Sequence, residues 1–184
     1  GQAALEKSLF AGVVGLAAVA VYMVFYYRLL GLVAVFALLL YTAMLLTLFK
    51  LSAFTPFGIT VTLSGIAGFV LSIGIAVDAN VLIFERTREE LSYGKGVVRS
   101  LIEGFRRAWP SIRDGHVSTL ITTVILIGLG TGFVKGFAII LALGVLLSLF
   151  TAVVLVRITT EFIAGDWMER HPWLLVSPKK RLDD

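Results

Sequence analysis

Apolar residues along this chain gather into five long runs, at residues 8–27, 29–49, 59–84, 117–133 and 137–156. Charged residues bound them: Arg28, Lys50, Glu85, Lys135 and Arg157. About 20 apolar helical residues cross a hydrocarbon core, and each run approaches that length. The pattern predicts an all-α integral membrane protein with five spans. The first turn, "YYRLLG", is short enough to make the first two spans an antiparallel pair, with Tyr22, Tyr26 and Tyr27 as an interfacial aromatic belt. "LSAFTPFG" reads as an outer loop, with Pro56 marking a break before the third span. "GLGTG" reads as a tight outer turn. The bundle is expected over residues 1–164 and a polar tail over 165–184.

One long polar stretch, 85–116, separates the third and fourth runs. Within it "VVRSLIEGFRRAW" sets Val98, Leu101, Ile102, Phe105 and Trp109 on one helical face. Arg99, Glu103, Arg106 and Arg107 fall largely elsewhere. This predicts an amphipathic helix that lies in the headgroup plane, docks on a partner or packs on the bundle.

Composition supports the membrane reading: 58% of residues are hydrophobic, 15% are charged and the mean hydropathy is +0.96. Charge then orients the spans. Of the 16 Lys and Arg residues, only Lys7, Lys50 and Lys135 fall on one side. The positive-inside rule puts the other side, with the 85–116 stretch and the C-terminus, in the cytoplasm. Gly1 then starts outside, which makes a fragment of a longer protein the expectation. The net charge of +4 is explained by topology, so nucleic acid is not expected as a partner. Membrane lipids are.

Much chemistry is excluded. The chain has no cysteine and two histidines, His116 and His171. No metal-ligand spacing, thiol nucleophile or Ser/His/Asp set is present, so no enzyme, metal or cofactor is expected. "GLGTGFVKG" is neither a Walker A loop nor a dinucleotide fingerprint, because Lys135 lacks the flanking residues of the first and stands where the second needs glycine.

The remaining oddity is "GIAVDANVLIFERTREEL", which places Asp78 and Asn80 inside an apolar run. Asp78 precedes Glu85 by seven residues, about 10 Å of helix. An ionised carboxylate there costs several kcal/mol against lipid. It is read either as a proton relay with Asn80 or as a protonated packing residue. Ser64, Gly68, Ser72, Ala76 and Asn80 form a small, polar line at every fourth position, which points Asp78 toward a helix–helix seam or a wet cavity. Asp114, Thr119, Thr122 and Thr123 are candidates for a hydrated inlet toward it. Alternatively, the threonine hydroxyls bond to carbonyls of their own helix. His116 is either a proton shuttle or an interfacial histidine without such a role.

At these residues the chain resembles the SecD family of protein-export membrane subunits. "GIAVDANVLIFERTREEL" is similar to the family signature, "GTGFVKGFAIIL" to a second segment, and "GQAALEKSLFAG" to the entry into the family's second membrane helix. The resemblance implies a bundle of the resistance-nodulation-division type in the bacterial cytoplasmic membrane, with these spans as the second to sixth. It implies SecF, the SecYEG translocon and unfolded exported polypeptides as partners, and Asp78 as the intramembrane carboxylate of proton-driven export. A scaffold subunit and a proton-coupled small-molecule exporter are the alternatives. The chain departs from the family at Ser64 and Phe133, where Pro is frequent, and at His116, where Asn is frequent. The family therefore lends His116 no role.

Overall fold

A computed structural model describes residues 2–52 and 63–163 of the chain. The outer loop around Pro56 and the tail from residue 165 lie outside the described residues. Among those described, every regular element is an α-helix: α1 (Gln2–Ser52), α2 (Leu63–Ser92), α3 (Val97–Leu129) and α4 (Gly132–Ile163). All four are long and apolar enough to cross a membrane.

At 51 residues α1 is far longer than a bilayer requires; straight, it would extend about 75 Å. It breaks at Arg28, whose backbone leaves the helical region at φ 50°, ψ −117°. The chain folds back there. A Cβ on Gly31 would overlap the Met23 carbonyl and lie 2.8 Å from Val24 Cα, although residues eight apart in a straight helix are separated by about 12 Å. Glycine at position 31 permits this close return. Met23, Tyr27, Leu30 and Ala34, from both limbs, join one buried cluster. Tyr27 is buried and donates to Glu85 Oε1 at 3.1 Å, while Arg88 donates to the Tyr26 hydroxyl at 3.0 Å. Tyr27 thus ties the α1 turn to α2 instead of standing in an interfacial belt, whereas Tyr22 and Tyr26 stay exposed and stack on each other.

Helices α2, α3 and α4 pack on one another, and α1 packs on α2 and α4. Small residues set the seams. Between α2 and α4, a Cβ on Gly68 would meet the Phe137 carbonyl at 2.7 Å, and one on Gly144 would overlap Ser72. Between α2 and α3, a Cβ on Gly104 would lie 2.6 Å from the Thr87 backbone nitrogen. Such approaches are how membrane helices gain dispersion contacts where lipid removes the hydrophobic drive. They also fix direction: α3 runs antiparallel to α2, and α4 runs parallel to it.

Two expectations change in α3. The amphipathic stretch and the fourth apolar run are one continuous helix, through Pro110. Its buried stripe is Val97, Leu101, Gly104, Ala108 and Ile112. Of the larger apolar residues expected to share a face, only Leu101 is buried, and Ile102 is 51% exposed. Close packing against α2 selects Gly104 and Ala108, and the stripe centres on them. At its other end α3 stops at Leu129, Gly130 caps it, and Gly132 opens α4, so "GLGTG" spans the junction between the two helices.

Among the described residues, the polar ends of α2 and α3 hold most of the charge. Gly94, at φ +78°, reverses the chain after α2. Glu90, 3% exposed, accepts from Arg107 Nη1 at 2.6 Å and from Lys95 Nζ. Lys95 also reaches Glu103, which pairs with Arg99 at 3.0 Å. These hydrogen bonds hold the Glu103 carboxyl down at about 2, hold Glu90 below its ordinary range and raise Lys95 above its own.

Candidate functional site

The i, i+4 line on α2 is the α2–α4 seam: Gly68, Ser72, Ala76 and Asn80 are all buried. Ser72 anchors it. The Tyr41 hydroxyl donates to Ser72 Oγ at 2.8 Å, and Ser72 Oγ donates to the Phe69 carbonyl at 2.8 Å. Asn80 continues the line, 7% exposed.

Asp78 does not lie on this seam. Two residues from both Ala76 and Asn80, it sits about 200° around the helix from each. Its side of α2 also carries Leu71 and Gly74, and all three are exposed. No hydrogen bond or ion pair to Asp78 occurs among the described residues. Of the two settings expected for Asp78, a helix–helix seam or a wet cavity, the α2–α4 seam is not the one it occupies. The small residues pack against α4, and the carboxylate points off the bundle on a membrane-length helix. Asp78 and Asn80 occupy opposite faces, so the structure does not bring them together.

The expected inlet is likewise dispersed. Asp114 is exposed and pairs with its neighbour Arg113 at 2.9 Å. Thr119 donates to the Gly115 carbonyl and Thr122 to the Ser118 carbonyl, each at 3.0 Å, and buried Thr123 donates to the Leu120 carbonyl at 2.8 Å. The hydroxyls are thus satisfied on their own helix, one of the two alternatives the sequence left open.

His116 is drawn into the interior at 4% exposure. Its Nδ1 lies 2.7 Å from the Ile112 carbonyl and its Nε2 lies 2.7 Å from Ser148 Oγ on α4. Ser148 Oγ is itself 2.8 Å from the Val145 carbonyl. The Asp78 carboxylate is within electrostatic reach of the ring. Sequence reasoning missed Ser148 because it lies 32 residues from His116, and only the α3–α4 packing unites them.

Chemically, the arrangement offers an acid on an exposed face of α2 with no hydrogen bond or ion pair among the described residues, and a buried imidazole hydrogen-bonded to a hydroxyl between α3 and α4. Among the described residues no group of acidic or histidine side chains is arranged to hold a metal.

Known proteins share this architecture. The protein translocase subunit SecD of Thermobaculum terrenum is 46% identical over 188 residues, an alignment covering 100% of this chain and 36% of that protein. The SecD subunit of a Synechocystis strain is 55% identical over 152 residues, covering 83% of this chain and 31% of that one. The crystal structure of SecDF, a translocon-associated membrane protein from Thermus thermophilus, superposes with a TM-score of 0.81 at 40% identity, covering 90% of this chain and 22% of its own. The resemblance read from the signature therefore holds, and the chain spans about a third of the curated relatives it matches. The profile of the MMPL family matches residues 2–183, and the chain belongs to that family.

Proposed function

We propose that this chain is the membrane-spanning half of a protein-export subunit that uses the proton motive force to assist late translocation of secreted polypeptides. Asp78 is its proton-binding carboxylate. Similarity to SecD and SecDF supports the export role. The observation that carries the proton role is Asp78 itself, exposed midway along a membrane-length helix and without a hydrogen bond or ion pair among the described residues. A bare carboxylate against lipid is costly. A partner half, of the SecF kind, covers that face and supplies the groups that meet Asp78. Binding and release of a proton would then bias the two halves between two arrangements. One charge crossing 100 mV yields about 2.3 kcal/mol, enough to shift such an equilibrium roughly fifty-fold.

In this reading the bundle crosses the bacterial cytoplasmic membrane five times, with both limbs of α1 spanning. The 85–116 stretch and the C-terminus face the cytoplasm, and SecYEG and unfolded exported chains are its partners. It performs transport and no covalent chemistry. The alternative, a role for Asp78 confined to packing, is less favoured because Asp78 is exposed and lies off the α2–α4 seam.

The test is export into membrane vesicles carrying the full-length subunit with its partner. Asp78→Asn should assemble normally and lose the proton-dependent component of export. Undiminished proton-dependent export by the assembled variant would exclude the reading.

A further inference from the structure

Ser148 has one hydroxyl proton and two acceptors at bonding distance: His116 Nε2 at 2.7 Å and the Val145 carbonyl at 2.8 Å. The Ile112 carbonyl can only accept, so Nδ1 carries a proton and donates to it. Nε2 is then free to exist in two forms. In the neutral ring Nε2 accepts from the Ser148 hydroxyl. In the charged ring Nε2–H donates to Ser148 Oγ, and the hydroxyl turns to the Val145 carbonyl. Both forms are fully hydrogen-bonded, and they differ by one proton and one hydroxyl rotation. Taking up a proton therefore forfeits no hydrogen bond, which is the usual penalty for a buried polar group.

Burial of the ring disfavours the charge that results, and the negative charge of Asp78 works against that cost. Asp78 on α2 is within electrostatic reach of the ring. From α4 the ring meets the Ser148 hydroxyl, and α4 carries no charged residue between Lys135 and Arg157. On α3, Arg113 and Asp114 are exposed and pair with each other. The limbs of α1 carry no charge between Lys7 and Arg28 or between Arg28 and Lys50. Among the described residues, Asp78 is thus the acid whose charge reaches the ring.

We infer that His116 is a second proton-binding site of the bundle, holding a proton at Nε2 against Ser148 when Asp78 is ionised. The inference rests on the reading of Asp78 as a proton-binding carboxylate and extends it. The local net charge stays at zero whether the proton sits on the acid or on the imidazole. Discharging Asp78 then need not strand an isolated anion in the membrane. The proton exchanges with solvent or with the acid, and no other co-reactant is required.

The experiment is nitrogen NMR of the assembled full-length complex in lipid discs, with histidine labelled at both ring nitrogens and His116 assigned by loss of its signals in His116→Gln. Across about pH 5 to 8, the Nε2 signal should move from the bare to the protonated position as pH falls, while Nδ1 stays protonated throughout. Asp78→Asn should reduce the ratio of charged to neutral ring at a given pH by about tenfold. Ser148→Ala should reduce it as well, through loss of the acceptor for Nε2–H. A ring that stays neutral over the whole range overturns the inference, as does a titration that Asp78→Asn leaves unchanged. Neither result depends on export. A failure here is therefore separable from a failure of the Asp78 reading, which the vesicle assay decides.

Discussion

Gly144 of α4 sits so close to Ser72 of α2 that a Cβ there would overlap the serine and lie 2.8 Å from the Tyr41 hydroxyl. Three elements meet at that point, and the absence of one methyl group lets them meet. Gly144→Ala should force α2 and α4 apart and destabilise the assembled complex by about 1–3 kcal/mol, the usual cost of overpacking. Thermal unfolding of the complex reads this directly. Adding Ser72→Gly should recover part of the loss, since it removes the atom in the way.

The Tyr41–Ser72 bond at the same point makes a smaller contribution. Tyr41→Phe leaves Ser72 still bonded to the Phe69 carbonyl, so nothing buried is orphaned. The expected loss is about 1 kcal/mol. Tyr41→Phe and Ser72→Ala together should cost less than the sum of their separate effects, because the two groups share one bond.

Glu90 is the buried hub of the polar end. Glu90→Gln keeps its size but removes the buried charge that Arg107 and Lys95 share, leaving Lys95 on Glu103 and Arg107 only on Glu89 at 3.6 Å. We expect a loss of about 2 kcal/mol and a loosened α2–α3 turn, visible as faster amide exchange over residues 91–97. Surface substitutions such as Arg86→Gln should fall near zero.

Glu103 predicts a pH dependence with a definite sign. Its folded value, about 2, lies below the ordinary 4.5. A depressed carboxyl contributes stability above its unfolded value and loses it as pH falls through the folded one. The stability difference between the native complex and Glu103→Gln should therefore be full at neutral pH, shrink below pH 4.5 and vanish near pH 2. A difference that persists at that acidity would show that Glu103 acts through packing and not through charge.

The sequence made some of this legible because the determinants are local. Runs of apolar residues revealed the helices, and "YYRLLG" revealed the reversal that Arg28 makes. The line Gly68, Ser72, Ala76, Asn80 revealed a seam, because side-chain phase on one helix follows from spacing alone. The same arithmetic sets Asp78 on the opposite face, so that signal was present in the spacing. The α3 stripe was not legible. Its large apolar residues pointed one way, and the choice of Gly104 and Ala108 depends on how closely α2 approaches. Nor was the His116–Ser148 pair, whose members meet only after α3 and α4 have packed.

Asp78 is proposed to carry the proton that drives the subunit, and proton movement itself reports on that role. Vesicles containing the assembled full-length complex and SecYEG, loaded with a pH-sensitive dye, should show proton flux that rises when export is under way. In Asp78→Asn that export-linked flux should disappear while the complex stays assembled. Export-linked flux of native size in Asp78→Asn would contradict the account.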